Sequence, residues 1–251
     1  MGMKPVTRTI ETGHILYEGT LLDHVDEALF APVRTSNADA GRGTTLFFAH
    51  AGLQLVLRHF RRGGLPARIL ADRYFWTGLT GSRPWREWHL LATLHALGLP
   101  VPQPVAARVV RRGIFYRGDL VTERLPARPL STHLARRSLP AATWRAIGAC
   151  IRRFHDVGAF HADLNAHNIL LADDGRVFVI DFDRGELRAP GPWHEANLRR
   201  LRRSFEKLRS HNADFAFDDA AWQELLAGYT ADRSPDGAQR NPGNGFRPSP
   251  E

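Results

Sequence analysis

Short runs of aliphatic, β-branched and aromatic residues alternate with polar turns along the first half of the chain. They predict four strands, over residues 44–48, 53–57, 105–111 and 120–125. Apolar residues at helical spacing predict a long helix over 83–97, with Ser82 as its N-cap and Gly98 beyond its end. A short helix is also expected over 68–76. This pattern is typical of a small antiparallel sheet with one long helix.

Helical periodicity dominates the second half of the chain. It predicts helices over 140–156, 193–209 and 219–229. From residue 232 onward the chain is rich in Pro, Gly and Arg and has no apolar period, which predicts a disordered tail. We therefore expect an α+β fold of two lobes followed by that tail. The predicted segments are a strand-rich lobe over 1–125, a mainly helical lobe over 126–231 and the tail over 232–251.

The composition narrows the class of protein. The chain has 251 residues, of which 43% are hydrophobic, and a chain of this length can bury a core without a disulfide or a structural metal. Cys150 is the only cysteine, which excludes an internal disulfide and a zinc site built from several cysteines. No segment approaches about eighteen uninterrupted apolar residues, and the N-terminus lacks the apolar stretch of a signal peptide. We expect a protein that is neither secreted nor inserted across a membrane.

The chain is strongly basic, and its positive charge is carried almost entirely by arginine. The formal net charge is +8 at pH 7, and Lys4 and Lys207 are the only lysines among 34 basic residues. A basic surface favours a phosphate-rich partner, whether a nucleotide, a nucleic acid or an anionic lipid. The predicted helix over 193–209 has an apolar side and arginines elsewhere, so its basic face is either solvated or in contact with anionic lipid head groups.

One segment, residues 161–183, carries the most specific chemistry. It reads HADLNAHNILLADDGRVFVIDFD and contains Asp163, Asn168 five residues later and Asp181 thirteen residues after that. In kinases, an Asp of the catalytic loop orients the attacking hydroxyl, and an Asn and a second Asp at such spacings hold magnesium ions. Taken singly, each of these residues could equally be a turn residue, but the joint pattern predicts a kinase-like site.

The residues between Asn168 and Asp181 predict a hairpin that brings the chemistry together. Two apolar runs flank an Asp-Gly pair at 174–175, which is a strong signal for a two-residue turn. Three side chains that bear oxygen atoms then converge at one end of the hairpin, and oxygen ligands suit Mg²⁺ and bound ATP. We expect Asp163 to be catalytic, and Asn168 and Asp181 to be metal ligands.

Kinases use a basic residue on a strand of the first lobe to contact the α- and β-phosphates. It cannot be a lysine here, because Lys4 and Lys207 both lie outside the predicted strands. Arg58 ends the apolar run LQLVLR and stands where that residue should be, with Glu87 on the predicted long helix as its partner. The alternative is an ordinary surface arginine and a solvated glutamate, because surface ion pairs are common and weak.

Two other parts of a nucleotide site are predicted with weaker signals. Gly41, Gly43 and Thr44 form a glycine-rich loop that could cover phosphates, but the third glycine of G-x-G-x-x-G is missing. The backbone from Glu123 to Leu125 follows the last predicted strand and is expected to contact adenine.

The residues around Asp181 argue against regulation by phosphorylation. Asp183 replaces the Gly of Asp-Phe-Gly, and we expect it to adopt the left-handed backbone of that turn. No Ser, Thr or Tyr lies between Asp181 and Ser204, and Ala162 stands where many regulated kinases carry Arg. The enzyme should be constitutively active. His161 is expected to brace the catalytic loop and not to bind a metal.

Several of these segments together resemble the 3-deoxy-D-manno-octulosonic acid (Kdo) kinases of lipopolysaccharide assembly. The resemblance rests on GRGTT, VLRHFRRGG, RPWREW, LPVPQPVAARV, HADLNAHNIL and IDFDRG, and it spans roughly residues 14–229. It implies a protein-kinase-like fold and ATP-dependent phosphorylation of the 4-hydroxyl of Kdo on a Kdo–lipid A precursor, with Mg²⁺. It also implies peripheral contact with the anionic cytoplasmic face of a bacterial inner membrane, with no nucleic acid and no stable protein partner.

Two alternatives stay open at this point. HADLNAHNIL is also similar to RIO-type and antibiotic-modifying phosphotransferases, and a heptose kinase of the same pathway is closer still. A non-catalytic pseudokinase scaffold is the other alternative, for which the missing lysine and Asp183 are the only arguments. The intact Asp163, Asn168 and Asp181 argue against a pseudokinase.

Overall fold

A computed structural model describes residues 2–31, 45–61 and 72–231. Within those ranges the first half of the chain forms seven strands: β1 (Pro5–Ile10), β2 (Gly13–Glu18), β3 (Thr45–His50), β4 (Leu53–His59), β5 (Tyr74–Phe75), β6 (Pro104–Arg112) and β7 (Phe115–Glu123). They pair into one antiparallel sheet in the order β1-β2-β6-β7-β4-β3, with β5 on β7. The four predicted strands are confirmed.

The hairpin of β3 and β4 follows directly from local sequence. Leu55 and Leu57 are buried, and alternation along the strand places both on the same face of the sheet. The turn between the strands has positive φ at both central residues, Ala51 (φ 48°) and Gly52 (φ 77°). Such a turn matches the twist of the two strands, and glycine adopts it without a steric penalty. The pairing places Arg58 opposite Thr45 at the end of the hairpin.

Three strands of this sheet, β1, β2 and β5, were not predicted. The hairpin of β1 and β2 lies at the edge of the sheet, where β1 is only half-buried and its sequence gives little apolar contrast. The short helix expected over 68–76 is wrong in its described part, because Tyr74–Phe75 forms β5. The rings of these two residues pack against Tyr116 and Phe115 of β7, with centroids 5.5 and 5.0 Å apart. Such cross-strand aromatic pairs stabilise a strand over a helix. Residues 68–71 lie outside the described ranges.

The predicted long helix is present as α1 (Arg83–Ala96) and packs against β6 and β7. Trp88, Leu91 and Leu94 form its buried face, as the periodicity indicates. Ser82 is the N-cap residue, as predicted, but its side chain makes no capping hydrogen bond, because its hydroxyl donates to the carbonyl oxygen of Leu79 at 2.6 Å. Gly98 ends the helix with a left-handed backbone (φ 71°).

The second half of the chain is mainly helical. Its elements are β8 (Ala127–Pro129), α2 (Leu130–Leu134), α3 (Ala141–Asp156), β9 (Ala159–Phe160), β10 (Ile169–Ala172), β11 (Val177–Val179), β12 (Glu186–Leu187), α4 (Trp193–His211) and α5 (Asp219–Ala231). The three predicted helices correspond to α3, α4 and α5 and are confirmed. Helices α3 and α5 approach closely, since a Cβ added to Gly148 would lie 1.9 Å from the carbonyl oxygen of Leu225.

The two halves share one buried apolar cluster. Trp88 and Leu120 from the first half belong to the same cluster as Ile151 and Phe205 from the helices of the second. The division at residue 125 therefore stays a prediction, as does the tail over 232–251, which lies outside the described residues. Among the helices that are described, none has both the length and the apolar character needed to cross a membrane.

Candidate active site

The predicted hairpin of residues 168–180 is formed by β10 and β11. Ile169 pairs with Val179, and Leu171 pairs with Val177, while β8 completes a small three-stranded sheet on the other edge of β10. At the open end of the hairpin, the backbone N–H of Ile180 donates to the carbonyl oxygen of Asn168 at 2.9 Å. This pairing brings the backbone of Asn168 next to the residue that precedes Asp181.

A hydrogen-bond network joins the catalytic loop to the end of β11. His161 is buried, and its ring nitrogen Nδ1 accepts the backbone N–H of Asp163 at 3.1 Å. Its Nε2 therefore carries the proton and donates to the carbonyl oxygen of Ile180 at 2.9 Å. Burial lowers the pKa of His161, which keeps the ring in the neutral form that this arrangement requires. His161 braces the loop, as the sequence predicts.

The side chain of Asn168 completes the network. Its Nδ2 donates to the backbone oxygen of Asp163 at 3.0 Å, which leaves Oδ1 as the end of the amide that can bind a cation. Asp163, Asn168 and Asp181 are thus linked through backbone and side-chain contacts at one end of the hairpin. The structure brings together the three residues that the motif singled out.

The carboxylate of Asp163 is exposed and accepts hydrogen bonds from two side chains. Oδ1 accepts from Nη1 of Arg200 at 2.9 Å, and Oδ2 accepts from Nδ2 of Asn165 at 3.1 Å. Arg200 lies on α4, thirty-seven residues further along the chain. Sequence reasoning missed this contact and assigned Arg200 only to a basic helix face. The single signal available was the position of Arg200 midway between Asn197 and Ser204, two polar residues on the side of the helix that faces the loop.

Asp181 adopts a backbone conformation that is uncommon outside glycine, with φ 65°. The next residue, Phe182, is buried against His161, with the ring centroids 4.8 Å apart. Burial of Phe182 holds the backbone in place, and the carboxylate of Asp181 stays partly exposed. An aspartate held in this way presents an oxygen ligand at the same end of the hairpin as Asn168.

Arg58 forms ion pairs with two carboxylates. Its Nη2 contacts Oε2 of Glu87 on α1, and its Nη1 contacts Oδ1 of Asp181. Burial tends to lower the pKa of Arg58, but the two carboxylates outweigh it and raise this pKa above its ordinary value. Glu87 is buried, and burial raises its pKa against the opposing effect of Arg58. The pairing of Arg58 with Glu87 was expected from the sequence, whereas its second contact with Asp181 was not.

A further ion pair ties α1 to the segment after Asp181. Arg83, the first residue of α1, donates from Nε to Oδ1 of Asp183 at 2.7 Å, and its Nη2 pairs with Oδ2. The guanidinium lies 4.7 Å from the ring centroid of Tyr74. The expectation that Asp183 takes a left-handed backbone is wrong, because the positive φ falls on Arg184 (φ 60°). Asp183 instead serves as the carboxylate of this two-pronged pair.

The other residues predicted to contact the nucleotide are Gly41, Gly43, Thr44 and the backbone from Glu123 to Leu125. Gly41, Gly43 and Thr44 lie outside the described residues. Glu123 ends β7, and its backbone N–H donates to the carbonyl oxygen of Gln103 at 2.9 Å. Leu125 packs against the apolar cluster beneath β10. A contact between this backbone and adenine stays a prediction.

The donor set at the end of the hairpin fits Mg²⁺ with phosphates. Mg²⁺ prefers oxygen ligands and is commonly held by one or two side chains together with phosphate oxygens and water. Asn168 and Asp181 offer an amide and a carboxylate oxygen of this kind. Among the described residues, no group of three or more His, Cys, Asp or Glu side chains is arranged to hold a metal by itself. A cation at this site would therefore depend on the phosphates for its other ligands.

Comparisons with known proteins agree on one family. A model of the lipopolysaccharide kinase (Kdo/WaaP) family matches residues 31–229. The chain is 38% identical over 222 residues to a 3-deoxy-D-manno-octulosonic acid kinase of Vibrio vulnificus (strain YJ016), covering 86% of this chain and 94% of the relative. It is 41% identical over 205 residues to the enzyme of that name from Haemophilus influenzae (strain PittEE), covering 78% and 85%.

A third relative carries the same name. The 3-deoxy-D-manno-octulosonic acid kinase of Xanthomonas euvesicatoria pv. vesicatoria (strain 85-10) is 44% identical over 212 residues, which cover 80% of this chain and 83% of the relative. The matched residues include all the described parts of the site, from Arg58 to Arg200. The chain belongs to the lipopolysaccharide kinase (Kdo/WaaP) family.

Proposed function

We propose that this protein is an ATP-dependent kinase that phosphorylates the 4-hydroxyl of Kdo on a Kdo–lipid A precursor. Membership of the Kdo/WaaP family supports a role as a Kdo kinase in the biosynthesis of the lipopolysaccharide core. The observation that carries the chemistry is the network around His161, which unites Asp163, Asn168 and Asp181 at one end of the hairpin.

Asp163 is the residue that acts on the acceptor. Its carboxylate is exposed and can accept a hydrogen bond from the sugar hydroxyl, which aims the oxygen at the γ-phosphorus. The backbone of Asp163 is fixed at two points: its N–H donates to His161, and its carbonyl oxygen accepts from Asn168. A carboxylate fixed in this way orients the hydroxyl and takes its proton as the new bond to phosphorus forms.

Asn168, Asp181 and Arg58 are the residues that we assign to the nucleotide and its cation. Asn168 and Asp181 would bind Mg²⁺ together with the phosphates, and the bound cation would supply positive charge to the phosphate oxygens. Arg58, held by Glu87, neutralises the α- and β-phosphates. Gly41, Gly43 and Thr44 would cover the phosphates, and the backbone from Glu123 to Leu125 would contact adenine.

The proposed place of action follows from the acceptor. A Kdo–lipid A precursor is anchored in a membrane by its acyl chains, so the enzyme must reach it from the surface. A basic protein is attracted to an anionic membrane surface, and the formal net charge of this chain is +8. We propose peripheral contact at the cytoplasmic face of the inner membrane, where ATP is present.

The direct test is transfer of labelled phosphate from ATP to purified acceptors by the full-length protein. Kdo–lipid A precursor should be labelled in the presence of Mg²⁺, and a heptose-containing lipopolysaccharide acceptor, an aminoglycoside and a protein should not. Labelling of one of the other acceptors in its place would contradict the assigned substrate. Absence of any magnesium-dependent transfer would indicate a pseudokinase.

Removal of the catalytic carboxylate gives the first specific prediction. Asp163→Ala should lower the rate of transfer roughly 10²- to 10⁴-fold, because general base catalysis contributes about this factor. ATP affinity, measured by equilibrium binding, should change little, since Asp163 is not assigned a contact with the nucleotide. Asp214→Ala removes an exposed carboxylate outside the site and serves as the matched control. A near-normal rate for Asp163→Ala would contradict the mechanism.

A further inference from the structure

Helix α4 is fixed against the catalytic loop by two polar side chains two turns apart. Asn197 is buried, and its Nδ2 donates to the carbonyl oxygen of His161 at 3.0 Å. Seven residues later, Oγ of Ser204 accepts the backbone N–H of Ala166 at 3.1 Å. Asn197 is buried and Ser204 is partly buried, and polar groups withdrawn from water are costly to leave unpaired, so the two contacts set the rotation and the register of the helix. Any residue between them on the same face is held toward the loop.

Arg200 is that residue. It lies one turn after Asn197, and its Nη1 donates to Oδ1 of Asp163 at 2.9 Å. Residues 161–168 contain no lysine or arginine, so the positive charge beside Asp163 comes from α4. Two neighbouring arginines on the helix pair elsewhere: Arg199 contacts Glu195 at 2.9 Å, and Arg202 contacts Glu206 at 2.8 Å.

The pair of Arg200 and Asp163 is open to solvent, with side-chain exposures of 47% and 63%. An ion pair this exposed contributes little to stability, because water screens it. Arg200 nevertheless has a fixed position, because Asn197 before it and Ser204 after it both hold α4 against the loop. The arrangement therefore points to a role toward a ligand that approaches Asp163, and that ligand is the acceptor.

A guanidinium has five N–H donors, and the contact with Asp163 uses one of them. The others can bind an anionic group of the molecule whose hydroxyl reaches Asp163. The acceptor proposed above is a sugar acid, which carries a carboxylate on the same ring as its hydroxyls. A planar guanidinium matches a carboxylate in a two-pronged geometry.

We propose that Arg200 binds the carboxylate of the acceptor sugar acid while it contacts Asp163, and that this double contact positions the hydroxyl for transfer. The proposal rests on the proposed function and deepens it, because it names the group of the acceptor that the site recognises. Arg200 thereby separates sugar acids from neutral sugars. Arg58 contacts Asp181 in a similar way, and the proposed function assigns it to the phosphates.

The test uses the full-length protein and two acceptors, Kdo–lipid A precursor and the same molecule with its Kdo carboxyl group converted to the methyl ester. Steady-state kinetics are measured for the unmutated protein, Arg200→Gln and Arg200→Lys. Arg199→Gln removes the same charge from the adjacent position, where the side chain pairs with Glu195, and serves as the matched control. A thermal midpoint for each variant checks that it is folded.

We expect Arg200→Gln to raise the KM for the acid acceptor roughly tenfold to hundredfold, the range for loss of a hydrogen bond to a charged group. The KM for ATP should stay the same, Arg200→Lys should recover part of the loss, and Arg199→Gln should behave like the unmutated protein. The ester should be a poorer substrate of the unmutated protein by a similar factor. Arg200→Gln should no longer distinguish the ester from the acid.

Two results would overturn the proposal and leave the proposed function standing. If the unmutated protein uses acid and ester equally well, or if Arg200→Gln lowers kcat for both without a change in KM, then Arg200 serves the transferred phosphoryl group or the loop alone. Absence of transfer to either acceptor by the unmutated protein would overturn the proposed function itself, and the carboxylate assignment with it. The two failures are distinguishable, because only the first leaves transfer by the unmutated protein intact.

Discussion

At the scale of single residues, the chemistry of the site depends on which group carries each charge. Lysine is confined to positions 4 and 207, and the structure places Arg58 between Glu87 and Asp181. A lysine ammonium is a compact point charge, whereas the fork of a guanidinium can contact two carboxylates through two separate nitrogens. Arginine is therefore well suited to this double contact.

Exchange of Arg58 for lysine tests that requirement. Arg58→Lys should keep the charge but lose one of the two contacts, which we expect to raise the KM for ATP roughly tenfold. Arg58→Met, which removes the charge as well, should lose more. Arg112→Lys, at the exposed end of β6, is the matched control and should leave the KM unchanged. An unchanged KM for Arg58→Lys would show that a single point charge is sufficient.

The residues of the site differ in how far sequence predicted them. Asp163, Asn168 and Asp181 lie within twenty residues of one another, so a local motif and one hairpin were enough to bring them together. The contact of Arg200 with Asp163 spans thirty-seven residues and depends on the rotation of a whole helix. Rotation is set by tertiary contacts such as that of Asn197, which local periodicity does not encode.

At the scale of elements, α1 and the segment after β11 are joined at two points. Arg58 links Glu87 of α1 to Asp181, and Arg83, one turn before Glu87, pairs with Asp183. Residues four apart on a helix lie on the same face, so both contacts hold the same side of α1 against the site. The replacement of the usual glycine by Asp183 thus supplies a second tie between the helix and the metal-binding segment.

Loss of this tie should affect both stability and nucleotide binding. Both side chains of the pair are about one-fifth exposed, and we expect Asp183→Asn to lower the free energy of unfolding by about 1–2 kcal/mol. The KM for ATP should also rise, because Arg58 depends on the relative position of α1 and Asp181. Denaturant unfolding of Asp183→Asn, Arg83→Gln and the double variant would measure the coupling.

A matched control for this pair is available in the same segment. Glu186→Gln breaks the exposed pair with Arg188, and exposed pairs contribute little to stability. It should leave the free energy of unfolding and the KM for ATP close to those of the unmutated protein. Additive effects of Asp183→Asn and Arg83→Gln in the double variant would mean that the two side chains act independently, contrary to this account.

Elements in which apolar and polar residues alternate clearly were predicted more accurately than elements in which they do not. Helices α1, α3, α4 and α5 and the strands β3, β4 and β6 all have a clear period and were predicted within a few residues, whereas β7 begins five residues before its predicted start. Strand β1 has a weak period because it lies at the sheet edge, and β5 depends on rings that lie about forty residues away on β7. Short strands of this kind form because of their partners, and their own sequence predicts them poorly.

At the scale of the whole molecule, one buried histidine connects three helices. His155 of α3 donates to or accepts from the hydroxyl of Tyr229 on α5 at 2.7 Å, and its ring packs against Trp193 and His194 at the start of α4. Burial, with a smaller effect of His194, lowers the pKa of His155 to about 3. The folded protein therefore keeps this imidazole neutral over most of the acid range.

The stability of the folded chain should depend on pH for this reason. An unfolded histidine titrates near a pKa of about 6.5. Between that value and the pKa of about 3 in the folded protein, the unfolded state binds more protons. The contribution of His155 is therefore complete above pH 6.5 and is lost as the pH falls toward 3, at up to about 1.4 kcal/mol per pH unit.

Urea unfolding at a series of pH values would measure this dependence. His155→Gln should be less stable at pH 7, because it loses packing, but its free energy of unfolding should fall less steeply between pH 6 and about 4. His50→Gln, which changes an exposed histidine at the end of β3, should keep the slope of the unmutated protein. Equal slopes for His155→Gln and the unmutated protein would contradict the assignment.

The presence of an arginine, and not a lysine, at position 58 also affects how the site can be labelled chemically. Acylation of a lysine beside the phosphates needs an amine that can lose its proton, and a guanidinium that stays protonated does not react in this way. This chain has no lysine at position 58, and its two lysines, at 4 and 207, are distant from the motif in sequence. A reagent that acylates the lysine beside the phosphates would therefore find no lysine to label at position 58.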